Sequence, residues 1–173
     1  MKRATIVVIT AIVVVVLIAV GAVMVFNKSP DLLNSEFCVV VTDSMDGEPT
    51  EYEVSTIPVN SLIAVHKLHG DDVKSIKVGD VIGFKSALVA GNVHHRVIAI
   101  DEEKGTFTTK GDNTHSTETV PFGNVEGKVV NVSHWAGEVV LFIKQNLLFI
   151  IFVLIMFLIM AEAFSYLLRN WKG

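Results

Sequence analysis

Three short stretches of this sequence carry groups that can do chemistry together: Ser44-Met45, His95-Arg96 and Gly111-Asp112-Asn113. A hydroxyl, an imidazole and a carboxylate are the working parts of a serine hydrolase. The imidazole takes the hydroxyl proton, the carboxylate orients the imidazole and stabilises its charged form, and the serine oxygen attacks a carbonyl carbon. Taken singly, each group has a plainer reading. A serine in a loop after a strand is most often a turn residue, and it is inert without a base beside it. Asp112 between Gly111 and Asn113 suits a turn in which the carboxylate bonds its own backbone. None of the six histidines stands in a His-Glu-x-x-His or with a cysteine pair, so no metal is expected, and the chemistry calls for no cofactor. His94 and His95 are adjacent. On a strand their side chains take opposite faces, so only one serves a given site.

These groups lie between two apolar runs. Residues 4–26 hold no charged side chain. At ~1.5 Å per residue they reach about 34 Å, enough for a ~30 Å hydrocarbon core. A cleaved signal peptide has a shorter apolar core, which favours a retained N-terminal transmembrane anchor. Lys2 and Arg3 mark its start as cytoplasmic. A second run over residues 146–168, interrupted by Glu162, reads as a C-terminal transmembrane helix. Arg169, Trp171 and Lys172 give it a positive, interfacial end. The two flanks agree: both termini are cytoplasmic, and the middle of a multi-pass cell-membrane protein faces outside the cytoplasm. Membrane lipid is thus an expected partner. The net charge of −4 offers no basic patch for nucleic acid, and the single Cys38 excludes an intramolecular disulfide.

Residues 34–138 form the expected extracytoplasmic domain. Short β-branched and apolar runs at 37–42, 61–67, 81–85, 93–100, 106–110 and 126–132 are separated by Gly, Asp and Asn. That pattern predicts a mainly β fold, a small all-β sheet or barrel, with no helical period competing in this region.

Val41-Thr42-Asp43-Ser44-Met45, Gly79-Asp80-Val81-Ile82-Gly83-Phe84, His95-Arg96-Val97-Ile98 and Thr109-Lys110-Gly111-Asp112-Asn113 form an ordered series across most of this domain. The series resembles the boxes of type I signal peptidases, in the branch found in the endoplasmic reticulum, in archaea and in some Gram-positive bacteria. In that branch a His immediately before Arg stands where the common bacterial enzymes have a Lys base. The resemblance implies a membrane-bound serine endopeptidase that removes signal peptides from secretory preproteins. It implies Ser44 as nucleophile, His95 rather than His94 as general base, and an oxyanion hole made by the Thr42 hydroxyl and the Ser44 backbone N–H. It implies substrates with small residues at the first and third positions before the cut. An extended chain presents both to one face, and strand 37–41 offers an edge for it.

Asp112 matches the family's Gly-Asp-Asn box, and its short side chain in a fixed turn makes it the expected acid. Related enzymes carry a further acid a few residues later; here the nearby carboxylate is Glu118, the rival for that role. Asp43 directly before Ser44 departs from the family's small residues. Glu48-Pro49-Thr50 is displaced by Asp46-Gly47, so the 46–58 loop is longer than usual. Met45 is expected either at the bilayer interface or in ordinary packing. Two other readings stand beside this one: an anchored transpeptidase with Cys38 as nucleophile, and a non-enzymatic anchored β-domain that binds a partner.

Overall fold

The computed structural model describes residues 35–86 and 91–170. Its strands are β1 (Ser35–Val39), β2 (Leu62–Lys67), β3 (Val81–Lys85), β4 (Asn92–Asp101), β5 (Thr106–Lys110), β6 (Thr117–Pro121) and β7 (Val125–Ser133). They form one seven-stranded sheet in the order β1-β2-β7-β3-β4-β5-β6, antiparallel throughout. The fold is mainly β, as the sequence pattern predicts.

β3 explains how so short a sheet makes a core. Its neighbours Val81 and Ile82 point to opposite faces, and both are fully buried. Val81 packs with Met45, Val54, Ile57, Ile63, Val65 and Val129. Ile82 packs with Phe84, Val97, Phe107, Val120 and Val125, among others. The sheet is therefore covered on both sides, by the 46–58 loop on the first face and by the curl of β4, β5 and β6 on the second. Three irregularities bend it, at Ala64/Val65 and Gly83/Phe84 against β7 and at Val97/Ala99 against β5.

Helices qualify the all-β expectation. α1 (His134–Gln145) follows β7 directly and begins inside the 34–138 stretch where no helical period was expected. Ser133 starts it: its Oγ accepts the Ala136 N–H at 3.2 Å, the bond of a helix N-cap. Gly137 packs α1 against the chain at 60–62, where a Cβ would collide with the Asn60 carbonyl oxygen. Asn146 ends α1, its amide nitrogen returning to the Phe142 carbonyl at 2.9 Å. α2 (Leu147–Asn170, 24 residues) then forms where the 146–168 helix was expected. Residues 35–140 belong to one compact unit and 141–170 to another. Among the described residues no single helix is long and apolar enough to cross a membrane. α1 with Leu147–Val153 passes that test as a bent pair. The anchor expected over residues 4–26 lies outside the described residues.

Candidate active site

The serine sits on a turn pinned from below. β1 ends at Val39, short of residue 42 where the sequence pattern ran, and the chain leaves the sheet after the Val40 N–H bonds the Ser61 carbonyl at 2.9 Å. The Asp46 N–H then bonds the Asp43 carbonyl at 2.9 Å, with Ser44 and Met45 at the centre of the turn. Met45 is 2% exposed, so it is core and not an interfacial residue. Its carbonyl accepts from the Ile57 N–H at 2.9 Å and from the Thr56 hydroxyl at 3.1 Å. Ser44 is thus one residue away from a fixed anchor. Asp43, the departure directly before Ser44, is exposed.

The Gly111-Asp112-Asn113 turn braces the serine from the side. The Asn113 N–H bonds the Ser44 carbonyl at 2.9 Å, and its side-chain amide bonds the Asp43 carbonyl at 3.3 Å. A Cβ on Gly111 would stand 2.6 Å from that Ser44 oxygen, and one on Gly47 would stand 2.8 Å from the Asp112 Cβ. Both glycines are there because two backbones touch.

Asp112 itself serves Arg96. Arg96 is buried, and all five of its guanidinium N–H groups are used. Nε donates to Asp112 Oδ1 at 2.9 Å and Nη2 to Asp112 Oδ2 at 2.6 Å. Nη1 donates to the carbonyls of Val54 and Gly79, and Nη2 to that of Ser55, each at 2.8 Å. The Tyr52 ring lies 5.1 Å from the guanidinium carbon. The sequence showed Arg96 only as the neighbour of the base. Its role in holding the long 46–58 loop needs the carbonyls of Val54 and Ser55, which no sequence motif reports.

The carboxylate beside His95 is that of Glu118. Register puts Val97, Thr109 and Glu118 opposite one another on adjacent strands, so they share a face with His95, two residues from Val97. Glu118 Oε2 is 3.3 Å from His95 Nδ1, whereas no Asp112 oxygen comes within charge-pairing distance of that ring. Asp112, the expected acid, is instead held by Arg96, which occupies both of its oxygens, and its rival Glu118 is the carboxylate that lies against the ring. The Glu118 contact is short but out of line: His95 Nδ1 and Glu118 Oε2 are both buried without an aligned hydrogen bond. Burial pushes His95 below the ordinary imidazole value, against the opposing pull of the Glu118 and Asp112 carboxylates. The ring is neutral at pH 7 and able to accept a proton.

Ser44, Thr42, His95 and Glu118 line one cleft of about 1110 Å³. Ser44 Oγ lies 3.4 Å from Thr42 Oγ1, and no hydrogen bond joins it to His95. Strand alternation sends His94 over Gly83 and His95 edge-on to Phe84, with ring centroids 6.1 Å apart, yet the cleft reaches both histidines. Burial, and then His95, push His94 below the ordinary value too.

A second serine, histidine and glutamate also meet, at Ser61, His134 and Glu138, with contacts of 3.5 and 3.9 Å. Ser61 is fully buried and outside the cleft, so no substrate reaches its hydroxyl. Among the described residues no group of three or more His, Cys, Asp or Glu side chains could hold a metal ion. No protein-family model matches the chain, and no curated protein matches it.

Proposed function

We propose that this chain is a membrane-anchored serine endopeptidase that removes N-terminal signal peptides from exported proteins, with Ser44 as nucleophile and His95 as general base. The observation that carries the reading is Glu118, whose buried Oε2 lies 3.3 Å from His95 Nδ1 in the cleft that Ser44 lines. Once the pair swings into line, a carboxylate there keeps the Nδ1 proton in place and leaves Nε2 with its lone pair.

The chemistry follows from that tautomer. Nε2 takes the Ser44 proton as Oγ bonds to the substrate carbonyl carbon, and the carbonyl π electrons move to oxygen. The Thr42 hydroxyl and the Ser44 N–H stabilise that oxyanion; losing one such donor typically costs about 3–4 kcal/mol. The C–N bond then breaks, the imidazolium gives its proton to the leaving amine, and water repeats the sequence on the acyl-serine. For this, Ser44 Oγ turns from Thr42 towards the imidazole, a closure that catalytic groups commonly complete only with substrate bound.

The anchoring half of the proposal is supported by α2. Leu148, Phe149, Phe152, Val153, Met156 and Met160 are among many large apolar side chains it exposes, and they occupy more than one face. With basic flanks at both ends of the chain, this apolar surface, taken with α1 as the bent pair and not as a lone span, supports a domain held at a bilayer outside the cytoplasm.

Cys38 is a poor alternative nucleophile. Burial, and then the nearby Glu36 carboxylate, push its thiol up, away from the thiolate that chemistry needs. The test is processing of a secreted precursor in a host whose own signal peptidase is depleted. Ser44→Ala and His95→Ala should leave precursor uncut, while Cys38→Ala should not. Normal processing by Ser44→Ala would sink the proposal, and would leave the partner-binding reading.

A further inference from the structure

The cleft changes character along its length. Around Ser44 its walls include Val40, Met45, Ile57 and Ile63. Its other end is charged. Antiparallel pairing brings Glu36 near the start of β1, Lys67 at the end of β2, Lys85 at the end of β3 and Glu126 near the start of β7 to one end of the sheet. All four line the cleft. They form two ion pairs, Lys67 Nζ to Glu36 Oε2 at 3.1 Å and Lys85 Nζ to Glu126 Oε1 at 3.0 Å. Between the two ends lie Gly83 and Gly127, partners in the β3–β7 register. Neither has room for a side chain: a Cβ would stand 3.1 Å from the His94 ring at Gly83, and 2.8 Å from Val65 Cγ1 at Gly127.

From His95 back along β4 to Asn92, which also lines the cleft, is about 10 Å at ~3.4 Å per residue. An extended peptide whose carbonyl lies at Ser44 thus carries side chains about three to five residues from the cut to the charged end. Resting on the endopeptidase reading, we infer that this end is a second, polar subsite, which takes a hydrophilic segment of the substrate and disfavours apolar side chains there. An apolar side chain strips water from four charges and returns nothing; an amide or hydroxyl replaces the water it displaces. Two lysines and two glutamates balance, so the preference is for polarity and not for one sign of charge.

The experiment uses the full chain in detergent micelles and peptides spanning the cut, with Gln or Leu at the third to fifth residues on either side. On one side Leu lowers kcat/KM by about fivefold relative to Gln, the scale of exposed ion pairs. The double variant Lys85→Met/Glu126→Gln, which removes one ion pair whole, lowers that penalty. The variant Glu36→Lys/Lys67→Glu, which keeps a pair with its order reversed, retains it. Equal rates for Leu and Gln on both sides, or a penalty unchanged in the double variant, overturns the subsite. Binding of the same peptides to Ser44→Ala separates the two claims. Peptides bound with this preference but left uncut by the wild type would discard the endopeptidase and keep the subsite; cutting without the preference would do the reverse.

Discussion

Asp112 gives both of its carboxylate oxygens to Arg96, at 2.9 and 2.6 Å, and both side chains are nearly sealed from water. The relationship turns towards Arg96 the aspartate that was expected as the acid. Arg96 and Asp112 hold the serine turn and the long loop in place, while Glu118 stands at the imidazole.

Asp112→Ala leaves a buried guanidinium charge without its partner. The expected loss is about 3–5 kcal/mol of stability, the usual cost of breaking a buried pair from one side. Denaturant unfolding of the purified protein measures it. Activity per folded molecule should stay within about tenfold of wild type, because a positioning contact and not a reacting group has been removed. Arg96→Lys should fall between, since an ammonium has three donors for five bonds.

Glu118→Gln should show the opposite pattern. Its side chain is 28% exposed, and unfolding should shift by less than about 1 kcal/mol. The rate constant should drop on the order of 10²–10⁴-fold, because the imidazole loses the group that fixes its tautomer and stabilises its charged form. A Glu118→Gln protein with full kcat would return the role to Asp112.

The pH profile carries its own sign. Burial holds His95 below about 6.5, so the acid limb of kcat/KM should lie below that value. Glu118 pulls the other way, and Glu118→Gln should move the limb to still lower pH. Stability follows the same groups. Below about pH 6.5 the unfolded chain protonates His94 and His95 while the folded chain resists, so the unfolded state binds more protons and stability falls with pH. His94→Gln should flatten that fall between pH 7 and 5, read as midpoints of urea unfolding.

Gly111→Ala should injure catalysis without touching a reacting group. The new methyl would press on the Ser44 carbonyl, and a displacement near 1 Å at a nucleophile costs about 10²-fold in rate. A kinetic assay with a Ser44-directed acylating probe checks it: labelling should slow as cleavage does.

The sequence predicted most of the sheet because β-branched runs bounded by Gly and Asp report directly on strands. β2, β3, β4, β5 and β7 fall within a residue of their expected places. β6 was missed, since Thr117-Glu118-Thr119-Val120-Pro121 is a polar edge strand with one buried residue, Val120. That omission also obscured Glu118. Read as loop, it is merely a nearby acid; paired with Thr109, it stands at the imidazole. α1 was missed because its helical signal begins only where β7 ends. Met45 was ambiguous because an apolar residue beside a serine suits a membrane or a core equally, and only the packing around Ile57 decides it.

The five bonds of Arg96 reach partners 16, 17, 41 and 42 residues away along the chain. Such a junction makes local fraying unprofitable: freeing the loop, the turn at Asp112 or the approach to β3 strands the same charge. The amides of Ile57, Gly79 and Asn113 should therefore exchange with solvent as a single cooperative unit, although nothing in their order along the chain would group them.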